Sequence, residues 1–462
     1  MAAQTNFIEE TGAGLPLPSK KDQWHDIARL AWPPAVELML GSLIGMITMA
    51  LVASIGSEAV SAVGITGQPM MIPWVAIQAF SVGGMAVVAR CIGMGDKAGT
   101  RLASEQTMLL SIIFSLVAGA VLYLWGGPII RMMGATPDYY SMAELYMRYS
   151  AVAVVFQSIS SAVASMLRSA GKTKLSMYFN VVANVANVIL GLILINGLGP
   201  VPRLGLLGAA IAQLAARIIG CAMALYILFA HKELSICPTI KGILTPNLEM
   251  IKRIFKVGSS SALEQLALRV GLIAFTIYVI HLGTAEFAAH NIAGTMHGYV
   301  VNFGSAIGMA LVPLVGQNLG AKRPDIAGAY INTAIKMCFS VSFILIIPFL
   351  TIPQYLALIF IREPEVVENI VIAIRILAFF TTAQIFQIAV CGALRGGGDT
   401  KWPLISTMVG VLGMRMILGY IFIVIMQMGI AGAWLSWLLD QTARAVIIYF
   451  RYRGGKWKMV RV

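Results

Sequence analysis

The sequence predicts an all-α polytopic membrane protein with twelve transmembrane helices, in two six-helix bundles related by a pseudo-two-fold axis along the membrane normal. Three observations predict it. Of the 462 residues, 58% are hydrophobic and only 11% are charged, where a soluble domain carries about 25% charged residues. The apolar stretches reach roughly 20 residues, the length of a helical span, and they lack the alternation of a strand barrel. The first half of the chain is then repeated in the second, 227 residues on: Glu37 recurs as Glu264, Gly56 as Gly283, Gly67 as Gly294, Gly93 as Gly320 and Arg148 as Arg375. An even number of helices per repeat inserts both halves with the same orientation, which sets the axis along the normal.

The first helix, near 27–54, carries Pro33 and Pro34 one turn before Glu37. Prolines remove backbone donors and kink a helix, leaving carbonyls exposed. Glu37 lies about ten residues in, about 15 Å from the helix start at 1.5 Å per residue, which predicts a position near mid-membrane. The second and third helices fall near 66–92 and 105–125. The fourth, near 142–168, carries Gln157 and runs into Leu167-Arg168-Ser169-Ala170-Gly171-Lys172-Thr173-Lys174. The fifth, near 176–197, places Asn180, Asn184 and Asn187 on roughly one face, and the sixth, near 206–230, carries Gln213 and Arg217.

A polar stretch with Pro238 and Pro246 separates the halves. The seventh helix, near 252–281, repeats the first, with Ser260 and Ser261 in place of the proline pair before Glu264. Serine also bends a helix, by bonding its carbonyls. The eighth, near 289–317, holds His290 and His297, seven apart with no third ligand beside them, and they read as packing or hydrogen-bonding groups. The ninth lies near 330–350. The tenth, near 366–394, carries Gln384, the repeat of Gln157, and Gln387, and ends in a copy of the earlier turn, Leu394-Arg395-Gly396-Gly397-Gly398-Asp399-Thr400-Lys401. The eleventh, near 402–427, holds Arg415. In the twelfth, near 430–451, Asp440 and Arg444 are four apart, the spacing of an ion pair on one helix face. The domains expected are an N-terminal segment 1–26, an N-lobe 27–230, a linker 231–250, a C-lobe 251–452 and a basic tail 453–462.

A net charge of +13 raises the question of nucleic acid, and the placement of the charge answers it. Lysines and arginines crowd one set of loops (Lys97, Arg101, Lys172, Lys174, Lys322, Arg323), while the opposite set holds Arg131, Arg203 and Arg362. This is the positive-inside pattern. It predicts a multi-pass protein of the inner (plasma) membrane with both termini cytoplasmic, in contact with anionic lipid headgroups and not with nucleic acid. The first 23 residues lack the apolar core of a removable signal peptide. Five scattered cysteines, without CxxC spacing, predict neither a disulfide framework nor a structural zinc site. Gly171-Lys172-Thr173 resembles the end of a phosphate-binding loop, but Met166 stands where that loop needs its first glycine. No catalytic constellation is present, so an enzyme is not expected.

An acidic residue inside a membrane span is a functional candidate, because an unpaired carboxylate there is strongly disfavoured. Glu264 and Glu37 are therefore the candidate ion-coupling residues. The amides Gln157, Asn187, Gln384 and Gln387 either bind helix to helix or line a wet central cavity, and the 26 methionines suit adaptable packing.

The paired Leu-Arg-x-x-Gly-x-Thr-Lys segments at 167–174 and 394–401, the glycines Gly56/Gly67 and Gly283/Gly294, and Gly316-Gln317-Asn318-Leu319-Gly320 resemble the MATE family, the multidrug and toxic compound extrusion transporters. The resemblance covers nearly the whole chain. It implies a secondary antiporter that expels amphipathic organic cations in exchange for H⁺ or Na⁺, needs no cofactor beyond the coupling ion, and works as a monomer among membrane lipids. Thr48 stands where many bacterial and archaeal relatives have a first-helix Asp. Asn187 keeps a fifth-helix Asn, but Gly191 replaces the Asp that follows it, and Gln213 replaces a sixth-helix Thr. Glu264 resembles the first member of an acidic pair found in one branch, and Gln384 replaces the second. The resemblance thus adds Thr48 and Gln213 to the cavity set, points to Glu264 as the leading coupling residue and favours H⁺ over Na⁺. The alternative function is a flippase for a lipid-linked or amphipathic lipid, which Arg217, Arg269 and Arg415 would serve if they faced the cavity.

Overall fold

The computed structural model describes residues 16–197, 202–230 and 235–460. Most of the expected N-terminal segment, and the start of the expected linker, lie outside the described residues. The helices in chain order are α1 (Lys20–Ala53), α2 (Ser57–Gly67), α3 (Met71–Gly93), α4 (Lys97–Met132), α5 (Pro137–Ser169), α6 (Thr173–Asn196), α7 (Gly205–Ala230), α8 (Ile240–Leu244), α9 (Leu248–Ile280), α10 (Thr284–Gly320), α11 (Pro324–Thr351), α12 (Pro353–Leu358), α13 (Pro364–Gly396), α14 (Lys401–Thr407), α15 (Met416–Gly419) and α16 (Gly429–Arg453). Two π-helical stretches, Met408–Arg415 and Tyr420–Ile425, extend α14 and α15 into one span. Among the described residues there is no strand.

Among the described residues, eleven helices are long and apolar enough to cross a membrane. The twelfth, α16, has 25 residues but is less apolar, with Asp440 and Arg444 inside it and Arg451 and Arg453 in its last turn. The all-α, twelve-span reading therefore holds.

The repeat governs the helix ends. α1 and α9 end at Ala53 and Ile280, α4 and α11 open at Lys97 and Pro324, and α5 and α13 run 137–169 and 364–396, all at the offset of 227. Both α5 and α13 open on a proline, whose fixed φ and missing N–H suit the first helical position. Where the halves differ, a residue difference explains it. The first half breaks between α2 and α3 at Pro69, which lacks a donor and restricts the residue before it. The equivalent position is Met296, and α10 runs through it unbroken.

The chain folds as two compact units. Among the described residues, the C-lobe comprises those up to Ala35, Gly93–Gly95 and those from Ser259 on, and the N-lobe comprises those of Val36–Ile92 and Asp96–Gly258. The division thus cuts α1 just after Pro33 and Pro34, and cuts α9 just before the serines that replace them. Within the C-lobe, the start of α1 is held by Tyr330, which donates to Asp26 Oδ2 at 2.7 Å, and by Ile27, which is fully buried in the apolar core. That core centres on α10 and α13, which approach backbone to backbone at Gly308 and Gly392. Within the N-lobe, Met147 and Ala151 of α5 pack against Gly126 and Gly119 of α4. The linker belongs to this lobe. The Glu105 carboxylate accepts from the Thr239 N–H at 3.0 Å and its hydroxyl at 2.7 Å, and Gln106 binds Thr245 and Asn247.

Candidate functional site

The repeated Leu-Arg-x-x-Gly-x-Thr-Lys segment is a helix end. α5 closes on the Leu167 carbonyl, which accepts the Lys172 N–H at 2.8 Å, and α13 closes on Leu394, which accepts the Asp399 N–H at 2.8 Å. Such a cap needs a left-handed residue just past the helix, and Gly171 (φ 71°) and Gly398 (φ 81°) supply it in both copies. The glycine is thereby explained, and the cap fixes the direction of the arginine one residue before each helix end.

Each arginine reaches a glutamate 131 residues earlier. Arg168 Nη2 donates to both Glu37 oxygens at 2.8 Å, and Arg395 Nη2 donates to the Glu264 oxygens at 2.7 and 2.8 Å. A third group joins from the next helix at the same separation of 143 residues: Asn180 Nδ2 donates to Glu37 at 3.0 Å, and the Thr407 hydroxyl to Glu264 at 3.5 Å. One three-residue arrangement is therefore built twice, once in each lobe. The copies differ in exposure. The Glu264 side chain is 3% exposed and that of Glu37 is 17% exposed. They also differ at the arginine: Arg168 Nε donates to Ser176, whose equivalent is Pro403, and Arg395 Nε is buried without a partner.

Neither carboxylate is unpaired: each lies midway along its helix and is held by the arginine in the final turn of α5 or α13. The residues that sequence reasoning left without a role are Arg168 and Arg395. The signal was available: each acid and each arginine recurs at the one offset, and an acid in a span requires a partner.

The expected cavity residues are placed as follows. In the N-lobe, Gln213 accepts from the Tyr146 hydroxyl at 2.6 Å, Gln157 bonds Ser161 of its own helix at 3.1 Å, Asn187 is half-buried on α6, and Thr48 holds a buried hydroxyl without a partner. α6 meets α1 at Gly191 and Leu51, one turn from Thr48. In the C-lobe, Gln384 is bonded to His297 Nε2 at 3.1 Å, and Gln387 donates to Cys391 Sγ at 3.2 Å. His297 and His290 pack with Trp434, Trp437 and Phe380 in an aromatic cluster.

Asp440 does not pair with Arg444, as its spacing predicted. It pairs with Arg415, from the π-helical stretch, while Arg444 Nη2 donates to the Thr407 hydroxyl at 2.8 Å. Arg415 also lies over the Trp437 ring, 4.4 Å from its centroid. A wider π-helical turn re-aims side chains, and here it turns Arg415 toward α16. A Cβ at Gly410 would collide with Asp440 and Arg444, so the glycine makes the room they occupy. Thr407 thus links this cluster to Glu264. Among the described residues, no three His, Cys, Asp or Glu side chains converge as a metal site would require.

Comparison with known proteins agrees with the twofold build. The MatE family model matches residues 33–193 and again 260–421, two matches that begin 227 residues apart. A Thermotoga maritima protein named probable multidrug resistance protein NorM is 26% identical over 435 residues, covering 94% of this chain and 93% of its own. The FAD transporter of Shewanella oneidensis is 25% identical over 346 residues, covering 72% and 75%. A solved structure described as the outward-facing conformation of a multidrug resistance MATE family transporter of the MOP superfamily superposes with a TM-score of 0.87 at 22% identity, covering 94% of this chain and 95% of that one. Twelve helical spans, a site written once in each half and a family match that falls on both halves lead to one conclusion: this chain belongs to the MatE family and is a multi-pass membrane transporter.

Proposed function

We propose that the protein is a secondary antiporter that exports amphipathic organic compounds in exchange for a cation, H⁺ before Na⁺, by alternating access, with Glu264 as the leading coupling residue and Glu37 as its counterpart. The observation that carries this reading is the Glu–Arg–(Asn/Thr) arrangement present in each lobe. A carboxylate held by an arginine has two discrete states. A proton or cation on the carboxylate releases the arginine, and the returning arginine expels the cation. Exchange requires such mutually exclusive occupancy, because a ligand moves an equilibrium only by its differential affinity for the two states. Glu264 leads because it is the more buried and is joined through Thr407 to further charges. The protein acts as a monomer in the plasma membrane, both termini cytoplasmic, as its loop charges favour.

The class of cargo divides on one observation. Each glutamate is already matched by an arginine, so neither offers a free negative charge to an organic cation. The similar protein from Shewanella oneidensis is named for FAD, an anionic compound. An anionic amphipath, including a lipid with a charged headgroup, is therefore the second reading beside an organic cation.

Purified protein in proteoliposomes tests both. Uptake driven by an imposed pH gradient in sodium-free buffer, lost in Glu264→Gln, supports proton antiport. Wild-type rates in Glu264→Gln, Glu37→Gln and the double variant would sink it. Competition by a cationic dye against an anionic flavin then assigns the cargo.

A further inference from the structure

We infer that the C-lobe interior holds a binding site for one small monovalent inorganic anion, of the chloride class, between Arg444 and Arg415. This goes beyond the antiport reading and does not rest on it.

The argument begins with charge. The buried polar centre of the C-lobe contains Arg395, Arg415 and Arg444, against Glu264 and Asp440. Arg395 answers Glu264 and Arg415 answers Asp440, which leaves Arg444 without an acidic partner. Arg444 is 4% exposed and makes one hydrogen bond, to the neutral Thr407 hydroxyl. Guanidinium remains charged under all ordinary conditions, and a buried charge without a counter-charge is strongly disfavoured. One positive charge in this interior therefore needs an anion.

Hydrogen bonding points to the same place. The Nε–H groups of Arg444 and Arg415 are buried and unpartnered, as is the indole N–H of Trp437, whose ring lies beneath Arg415. Buried donors are almost always bonded, and these three belong to α16 and the π-helical stretch, which the Arg415–Asp440 pair and the Arg415–Trp437 stack hold together. Asp440 Oδ1, also unpartnered, lies beside the Arg444 stem, since both stand against the same side of Gly410. Its repulsion limits the ligand to a single charge balanced by two guanidiniums. The surroundings limit its size: Trp434 and Phe380 are fully buried and Trp437 nearly so, a close-packed interior that suits a single ion and not an organic compound.

The site is an addition to one lobe. By the repeat, whose offset falls from 227 to 224 where three residues are lost and Gly205 matches Gly429, Arg415, Asp440 and Arg444 stand where the N-lobe has Val188, Ala216 and Gly220. There, Gly220 packs directly on Ala183; in the C-lobe the small and large partners are exchanged, with Gly410 facing Arg444. The titratable groups around the centre are Glu264 on α9, His290 and His297 on α10, Cys391 and Arg395 on α13, Arg415, and Asp440 and Arg444 on α16. None of them supplies the missing negative charge while Glu264 and Asp440 hold their own arginines.

The test uses the full-length protein in detergent, melted in chloride, bromide or gluconate at matched ionic strength. Chloride and bromide are expected to raise the melting temperature by several degrees, saturably at millimolar concentration, while gluconate, too large to enter, has no effect. Arg444→Gln should lose the response and Arg375→Gln, an exposed control, should keep it. Equal melting of the wild-type protein in all three anions overturns the inference, as does an unchanged chloride response in Arg444→Gln. If Arg444→Gln is not recovered, bromide quenching of wild-type tryptophan emission decides instead. Saturable quenching removed in Trp437→Phe supports the site, and purely collisional quenching overturns it.

Discussion

Arg395 and Glu264 stand 131 residues apart in sequence and 2.7 Å apart in space, and the same pairing, at the same separation, recurs in Arg168 and Glu37. A duplicated chain therefore kept a duplicated ion pair, each made by an arginine one residue from a helix end and a glutamate in the middle of a helix.

The pair predicts an asymmetric response to substitution. Removing one member of a buried pair leaves an uncompensated charge and costs about 3–5 kcal/mol. Arg395→Ala should be worse than Glu264→Gln, because the acid left behind is the more buried of the two. The double variant Glu264→Gln/Arg395→Gln should recover much of the loss. Melting of the purified variants checks this, and additive single losses would contradict a direct pair.

The N-lobe copy should matter less. Glu37 and Arg168 are both partly open to solvent, and Asn180 and Ser176 already hold them in place. Glu37→Gln is expected to lower the melting temperature less than Glu264→Gln and to retain more transport. Initial rates in proteoliposomes, measured side by side, give the comparison.

Gly410 should not tolerate a side chain. A methyl there collides with Asp440 and Arg444, and overpacking of this kind costs about 1–3 kcal/mol. Gly410→Ala should lower the melting temperature, while Gly294→Ala, where a Cβ meets nothing, should change it little. Equal effects in the two variants would contradict the crowding at Gly410.

The linker should loosen when Glu105 is removed. Its carboxylate receives two donors from Thr239, and these are lost in Glu105→Ala. Faster limited proteolysis within residues 235–247, with the spanning helices still protected, is the expected outcome. An unchanged cleavage rate would show that Gln106 alone suffices.

Much of the frame was legible in the sequence because it is local. Apolar runs long enough to span a bilayer mark their own helices, and Pro137 and Pro364 mark where two of them begin. The repeated Gly171 and Gly398 mark left-handed turns that no other residue adopts as readily. The spacing rule failed at Asp440 and Arg444. Four residues apart is a possible pair on any regular helix, but Arg415 arrives from a π-helical turn that the sequence does not advertise.

By itself, then, the sequence determined the twelve spans, the duplication and the equivalence of Glu37 with Glu264, since each follows from chain-local hydropathy or from direct comparison of residues. Only the tertiary structure decided what those residues touch. It joined Arg395 to Glu264 and Arg168 to Glu37, gave Asp440 to Arg415, and left Arg444, among the described residues, without an acid beside it. The physical reason is that a buried charge takes its partner from whichever helix packs beside it, and packing is set by side chains more than a hundred positions away.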